Sequence, residues 1–297
     1  MRFNSIGSFR NTNFFFFVIL LIFSISGHPA EESSSPQVDP STLSGKVMCG
    51  YQGWFTCEGD GSNRGWFHYG KRGGFKPGQC NIDLWPDMSE LDNDEKYPTS
   101  FQHADGSTAS VFSSMNKKTV LRHFQWMQEY GIDGVFVQRF AVQILNPSGL
   151  NHCNTVLESC REGASRFGRI YAVMYDLSGM RSNQVSLVMD DWKQLVDRMG
   201  FNRQQYDRNY LHHNGKPVVA IWGIGFNDNR RYTLEDCAKL VDFLKNDPTY
   251  GGYTVMVGVP TYWRTLNRDC LPDPFLHEII RKADIVSPWT VGRYGTI

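Results

Sequence analysis

Asp176, in VMYDLSG, is the one carboxylate of this sequence that falls cleanly where an apolar run gives way to a turn. A second such junction, GVFVQRF, offers Gln138 and Arg139. Side chains alternate between the two faces of a strand, so one of that pair points inward and the other outward. The inward one can hydrogen-bond hydroxyls or steady a carboxylate; the outward one can pair with a helix acid. Tyr175 stands beside Asp176 and is placed to tune or orient it. Aromatic residues recur near other breaks in the chain: Trp54, Trp66 and His68 in one loop, then Tyr262, Trp263 and Trp289 further on. A flat ring with one polar edge stacks on the apolar face of a sugar, and convergent polar groups in a cleft fix its orientation. His68 can donate to a sugar hydroxyl or move a proton.

A pair of carboxyl groups can divide general acid and base work across one bond. Asp176 is the candidate for one of them. Asp228, in GFNDNRR, is a weaker second and fits a turn, while Glu58 and Asp60 in CEGDGSN fit solvated loop acids. Each of these residues also has a plain structural reading. Asp176 can cap its own turn, and any one of the aromatics can pack between strand and helix.

The elements that would position these groups alternate regularly. Val47-Met48-Cys49 reads as a buried strand, followed by a long excursion to about Asn116 that is rich in Gly, Asp and aromatics. An excursion of that length inside one domain is usually functional. Helices are then expected over Lys117–Tyr130 and at about 154–167, 185–199 and 273–282, with another that Thr233 could cap and that carries Leu234, Cys237, Val241 and Leu244 on its apolar face. Strands are expected at Gly134–Phe140, Ile170–Leu177, 216–226, 253–263 and 283–292. These strands are apolar throughout, so both of their faces are covered and the sheet is parallel. Polar and aromatic residues collect at their carboxyl ends, where a (β/α) barrel carries its active site. The expected fold is therefore α/β, a (β/α)8 TIM-type barrel truncated after about six units and incomplete at its C-terminus. The expected domain spans 45–297.

Composition narrows the function classes. Thirty acidic and thirty basic residues cancel, which leaves no electrostatic case for nucleic acid or an acidic membrane surface. There is no zinc-type Cys/His spacing and no phosphate-binding glycine motif, so neither a metal nor a cofactor is expected. Arg2 and Arg10 precede the apolar run Phe14–Ser26, which reads as a signal peptide over 1–26. A signal anchor is the alternative. Residues 27–44 read as a flexible Pro/Ser-rich linker, and the mature chain as secreted, with no stable membrane insertion after cleavage. Seven cysteines permit some disulfides in that setting. Cys57 and Cys80 flank one loop and could bridge. Cys153 and Cys160, seven apart on a helix, would lie about 10 Å apart and could not.

With these residues placed, VMCGYQGWF together with GWFHY, and then YGIDGVFVQRF, resemble a known group. They are similar to the family 71/99-like glycoside hydrolases, relatives of endo-α-mannosidase and the α-1,3-glucanases, in a branch often labelled xylosidase or arabinosidase. The resemblance runs from about residue 45 to the last residue. It implies a (β/α)8 barrel and hydrolysis of glycosidic bonds in a carbohydrate substrate. In family 99 the paired catalytic glutamates come from a late loop that the resemblance maps to no residue here. Two functions are therefore expected: a secreted glycoside hydrolase, or a non-catalytic glycan-binding homologue that lacks the acid/base pair.

Overall fold

The first strand, β1 (Met48–Tyr51), is short and ends just before Gly53, where a Cβ would lie 2.5 Å from Val156. The structure is a computed structural model that describes residues 37–72, 74–200 and 207–293. The expected signal peptide and the first part of the expected linker lie outside the described residues. Residues 37–44, expected as linker, are instead docked on the fold. Val38 is buried in the main core and its N–H donates to the Gly168 carbonyl at 2.9 Å, while the Pro40 carbonyl accepts from the His212 N–H.

The excursion after β1 is not irregular throughout. It contains an antiparallel hairpin, β2 (Tyr97–Gln102) and β3 (Thr108–Val111), which the sequence reading missed. The inward residues of β2 alternate with exposed ones, but Pro98 obscures that pattern in the sequence. The hairpin closes over a small core of its own, Cys57, Tyr69, Phe75 and Val111, with Trp66 and Trp85 packed against it.

Helix α1 (Lys117–Glu129) starts at Asn116, whose side chain accepts from the Lys118 N–H. The excursion is fastened to this helix through Glu95, which is fully buried. Its carboxylate accepts from Arg122 Nη2 at 2.5 Å and from Thr119 Oγ1 at 3.1 Å.

Strand β4 (Gly134–Phe140) follows, then helix α2 (Pro147–Phe167). The helix begins about seven residues earlier than expected. Pro147 occupies its first position, where no N–H is needed, and Asn146 caps it, so a Pro that reads as a break is in fact a start. The rest keeps the expected order, with one added strand: β5 (Ile170–Asp176), α3 (Val185–Met199), an unexpected two-residue β6 (His212–His213) hairpinned onto β7 (Lys216–Trp222), α4 (Leu234–Asn246), β8 (Thr254–Pro260), α5 (Phe275–Lys282) and β9 (Ile285–Trp289).

The parallel strands lie in the order β1-β4-β5-β7-β8-β9, each beside its predecessor in the chain, as successive strand-helix-strand units dictate. Together they make a curled half-barrel sheet, a partial TIM-type arrangement. Its convex face is sealed by the helices: Val135, Val137, Val173, Val219 and Val257 are all buried there. On the concave face the residues near the strand ends, Gln138, Phe140, Met174, Trp222 and Ser287, are only half-buried.

All seven cysteines are free thiols, so the expected Cys57–Cys80 bridge is not formed. Cys57 Sγ instead donates to the Phe112 carbonyl and Cys80 Sγ to that of Ile82. Burial pushes the Cys237 thiol up to about 12 and Cys270 up to about 11, which keeps both protonated and unreactive. Among the described residues no helix is long and apolar enough to cross a membrane.

Candidate functional site

Strand register decides which of the strand-end residues meet. Phe140 pairs with Asp176, and Asp176 in turn with Trp222 on the next strand. Residues two apart share a face, so Gln138, Phe140, Asp176 and Trp222 all lie on the concave side. Gln138 Nε2 donates to Asp176 Oδ2 at 2.6 Å, and the Ser178 N–H donates to Oδ1 at 2.8 Å. Asp176 is 3% exposed. That burial raises its pKa above the ordinary aspartate value, and it outweighs the bonds from Ser178 and Gln138 and the nearby Arg230 charge, all of which lower it.

Arg230 reaches this cluster from the loop after β7. Its Nη1 donates to Ser178 Oγ at 3.2 Å and to Tyr232 Oη at 2.7 Å. Its Nε and Nη2 hold Asp228 in a two-point pair at 2.8 and 3.0 Å. Tyr232 Oη donates to the Gly223 carbonyl at 2.6 Å. Gly223 itself has φ +113°, and a Cβ there would lie 2.6 Å from Arg230 Nη1, so a side chain is excluded on both counts. Ser178, Gly179, Asp228 and Arg230 open onto a pocket of about 340 Å3.

Aromatic rings flank the carboxyl. Trp222 packs on Gly258, where a Cβ would come within 2.2 Å of the indole. Trp289 meets it edge-on at 5.0 Å and is 40% exposed. On the other side Trp54 packs on Phe140 at 4.9 Å and stacks on His68 at 4.3 Å, the two planes 13° apart. Burial, then the charge of Arg64 and the presence of His152, push the His68 pKa down to about 4, so the ring is neutral above that pH. A neutral imidazole can donate one hydrogen bond and accept another.

Other expected site residues lie elsewhere. Arg139 and Tyr175 pair with each other in register on the convex face and point away from Asp176. Both bind Asp191 of α3: Arg139 through Nε at 2.7 Å and Nη2 at 2.5 Å, Tyr175 through its hydroxyl at 2.5 Å. Arg139 is thus the outward member of its pair, bound to a helix acid, and Tyr175 cannot touch a ligand of Asp176. Trp66 packs on Phe75 in the small core and faces a separate pocket of about 390 Å3 with Glu58, Arg64 and His68. Tyr262 and Trp263 follow β8 in a turn, and each has an arginine over one ring face, Arg268 and Arg264 respectively.

Trp222, Phe140, Ser178, Arg230 and Tyr232 were not read from the sequence as site residues. Phe140 and Trp222 could have been found by counting in twos from Gln138 and along the register. Arg230 and Tyr232 come from an irregular loop whose path no periodicity reports.

Among the described residues one trio of acids, Asp92, Asp94 and Glu95, brings its oxygens within 4.8 Å of one another. Lys118 and Arg122 already pair with them, with Lys118 Nζ 2.7 Å from Asp92 and 2.8 Å from Asp94. The trio is paired with these two cations and fastens the excursion to α1.

No family model matches the chain, and neither does any curated protein. Among solved structures, it is similar to the endo-α-mannosidase of glycoside hydrolase family 99 from Bacteroides thetaiotaomicron in complex with bis-tris-propane. The TM-score is 0.46 and the identity 13%, over 82% of this chain and 58% of that one. A second structure of that enzyme gives a TM-score of 0.38 and 12% identity, over 81% of this chain and 83% of that one. The chain thus spans less than two thirds of the first of these structures.

Proposed function

We propose that this chain is the glycan-facing part of a secreted glycoside hydrolase, with Asp176 as the carboxyl that exchanges a proton with the glycosidic oxygen. The observation that supports this reading is the raised, buried Asp176 carboxyl on a concave face walled by Trp222, Trp289, Phe140 and Trp54. A carboxyl that holds its proton to higher pH can protonate a leaving group, which an ordinary solvated aspartate does poorly near neutrality. Gln138 and Ser178 fix the orientation of the carboxyl. Arg230 limits how far its pKa rises, because its charge favours the ionised form. The aromatic walls supply flat faces for sugar rings on either side of the bond.

Glycan binding without turnover is the second reading, and one observation favours it. Hydrolysis calls for a second carboxyl. Among the described residues, Asp228 is the other acid joined to this cluster, and both of its oxygens are taken by Arg230. Incubation with a panel of neutral glycans, followed by assay for new reducing ends, separates the two readings. Release of reducing ends supports the hydrolase. Saturable binding with no release supports the binding protein.

A further inference from the structure

A different pocket opens between the outer face of α1 and the segment from Pro86 to Leu91. Its volume is about 400 Å3, and Trp126, Tyr130, His123 and Phe112 line it together with Glu90 and Asp87. That volume falls within the range of small-ligand sites, about 300–1,000 Å3. We propose that this pocket is a second carbohydrate site that holds a unit of a neutral glycan apart from Asp176. The choice of a sugar as ligand rests on the glycan reading of the concave face.

Three features of the pocket support a sugar. Tyr130 follows the last turn of α1 and is 75% exposed, so its ring is available to a ligand. Trp126 lies one turn earlier, and its indole is held by a bond from Nε1 to Glu90 Oε2 at 2.9 Å. Two such rings give the apolar faces on which sugar C–H groups stack. The carboxylates supply the polar side: Asp87 Oδ1 accepts from the Ser89 N–H and Glu90 Oε2 from Trp126, and each carboxylate keeps lone pairs free to accept from hydroxyls.

The walls are fixed before any ligand arrives. The ion pairs of Asp92 and Glu95 with Lys118 and Arg122, a few residues along the chain, clamp this loop to α1. Ordering the loop therefore costs a ligand little.

The lining also sets the ligand's charge. Two carboxylates and no lysine or arginine face the pocket, so a sugar acid would meet repulsion and a neutral sugar would not. Aromatic rings with carboxylates also suit an organic cation, and the experiment separates that case.

Affinity electrophoresis of the full chain tests the proposal, in gels containing mannan, arabinoxylan or polygalacturonate. The expected result is retardation by at least one of the neutral polymers and none by polygalacturonate. Tyr130→Ala, an exposed change that leaves the fold intact, and Trp126→Ala should each weaken it about tenfold, the scale of one lost stacking contact. Unchanged retardation in both aromatic variants would overturn the proposal. So would equal retardation by polygalacturonate, displacement of the glycan by choline, or no retardation by either neutral polymer. Turnover at the concave face is not read here, so a failed hydrolase reading and a failed second site remain distinguishable.

Discussion

Gln138 and Asp176 lie on neighbouring parallel strands, and the amide Nε2 of one stands 2.6 Å from Oδ2 of the other. Gln138 is paired in register with Met174, so this contact runs diagonally across the concave face and ties the two strand ends together. It also holds one oxygen of the buried carboxyl on the sheet, while the other caps the turn after β5 by accepting from the Ser178 N–H.

Asp176→Asn should be as stable as the parent protein or more stable, with an advantage that grows as pH rises. A raised pKa means the native state binds more protons than the unfolded chain between the two pKa values, so the parent loses stability as pH climbs through that window. Asparagine has no proton to lose there. Its Oδ1 can keep the Ser178 N–H, and Gln138 can turn its amide to accept from Nδ2. Urea unfolding at pH 4 and pH 8 checks this, and a variant less stable at pH 8 than at pH 4 relative to the parent contradicts it.

Asp191→Ala should behave in the opposite way. Asp191 neutralises Arg139 and takes the Tyr175 hydroxyl in a setting where Arg139 is 2% exposed. Breaking such a buried pair from one side costs about 3–5 kcal/mol. The loss should appear in unfolding midpoints and should be reduced when Arg139→Met and Tyr175→Phe are added.

Much of this architecture was legible in the sequence. The apolar runs read at 134–140, 170–177, 216–226 and 253–263 hold the strands 134–140, 170–176, 216–222 and 254–260, because a strand covered on both faces has no polar positions to hide it. The inward and outward roles of Gln138 and Arg139 follow from alternation alone once a strand is assigned. Tyr175 was misplaced by the same rule: as the neighbour of an inward Asp176 it had to point outward. What could not be read is whatever depends on loop paths. The docking of residues 37–44 and the arrival of Arg230 beside Ser178 rest on contacts between distant residues with no periodic signature, and in the β2–β3 hairpin Pro98 obscures the alternation of β2.

Gly258→Ala should disturb the aromatic wall. The new methyl would overlap the Trp222 indole, and repacking of this kind costs about 1–3 kcal/mol. Tryptophan emission should shift as Trp222 lifts away, and glycan affinity at the concave face should fall. An unchanged spectrum and unchanged affinity would show that Trp222 is not the bed of that site.

Acid should weaken the fold before its carboxylates titrate. Burial lowers the pKa values of His68, His123 and His152 from 6.5 to about 4. Between those values the unfolded chain binds protons that the native state refuses, so stability falls as pH drops from about 6.5 to 4. Below that window Glu95 adds a second loss. Burial works to raise its pKa, but the bonds from Arg122, Asp92 and Thr119 carry it below the usual value, so the stability it contributes disappears as it protonates. Urea midpoints at pH 7, 5.5 and 4 check the first effect, and His123→Gln should flatten part of the slope.

The most direct measurement is glycan hydrolysis by the parent protein and Asp176→Asn, assayed side by side on the same neutral substrates with binding followed in parallel. The predicted result is glycan release by the parent, a fall of about a hundred- to ten-thousandfold in the variant, and little change in binding. Equal rates in the two proteins would remove Asp176 from the chemistry and contradict the assignment.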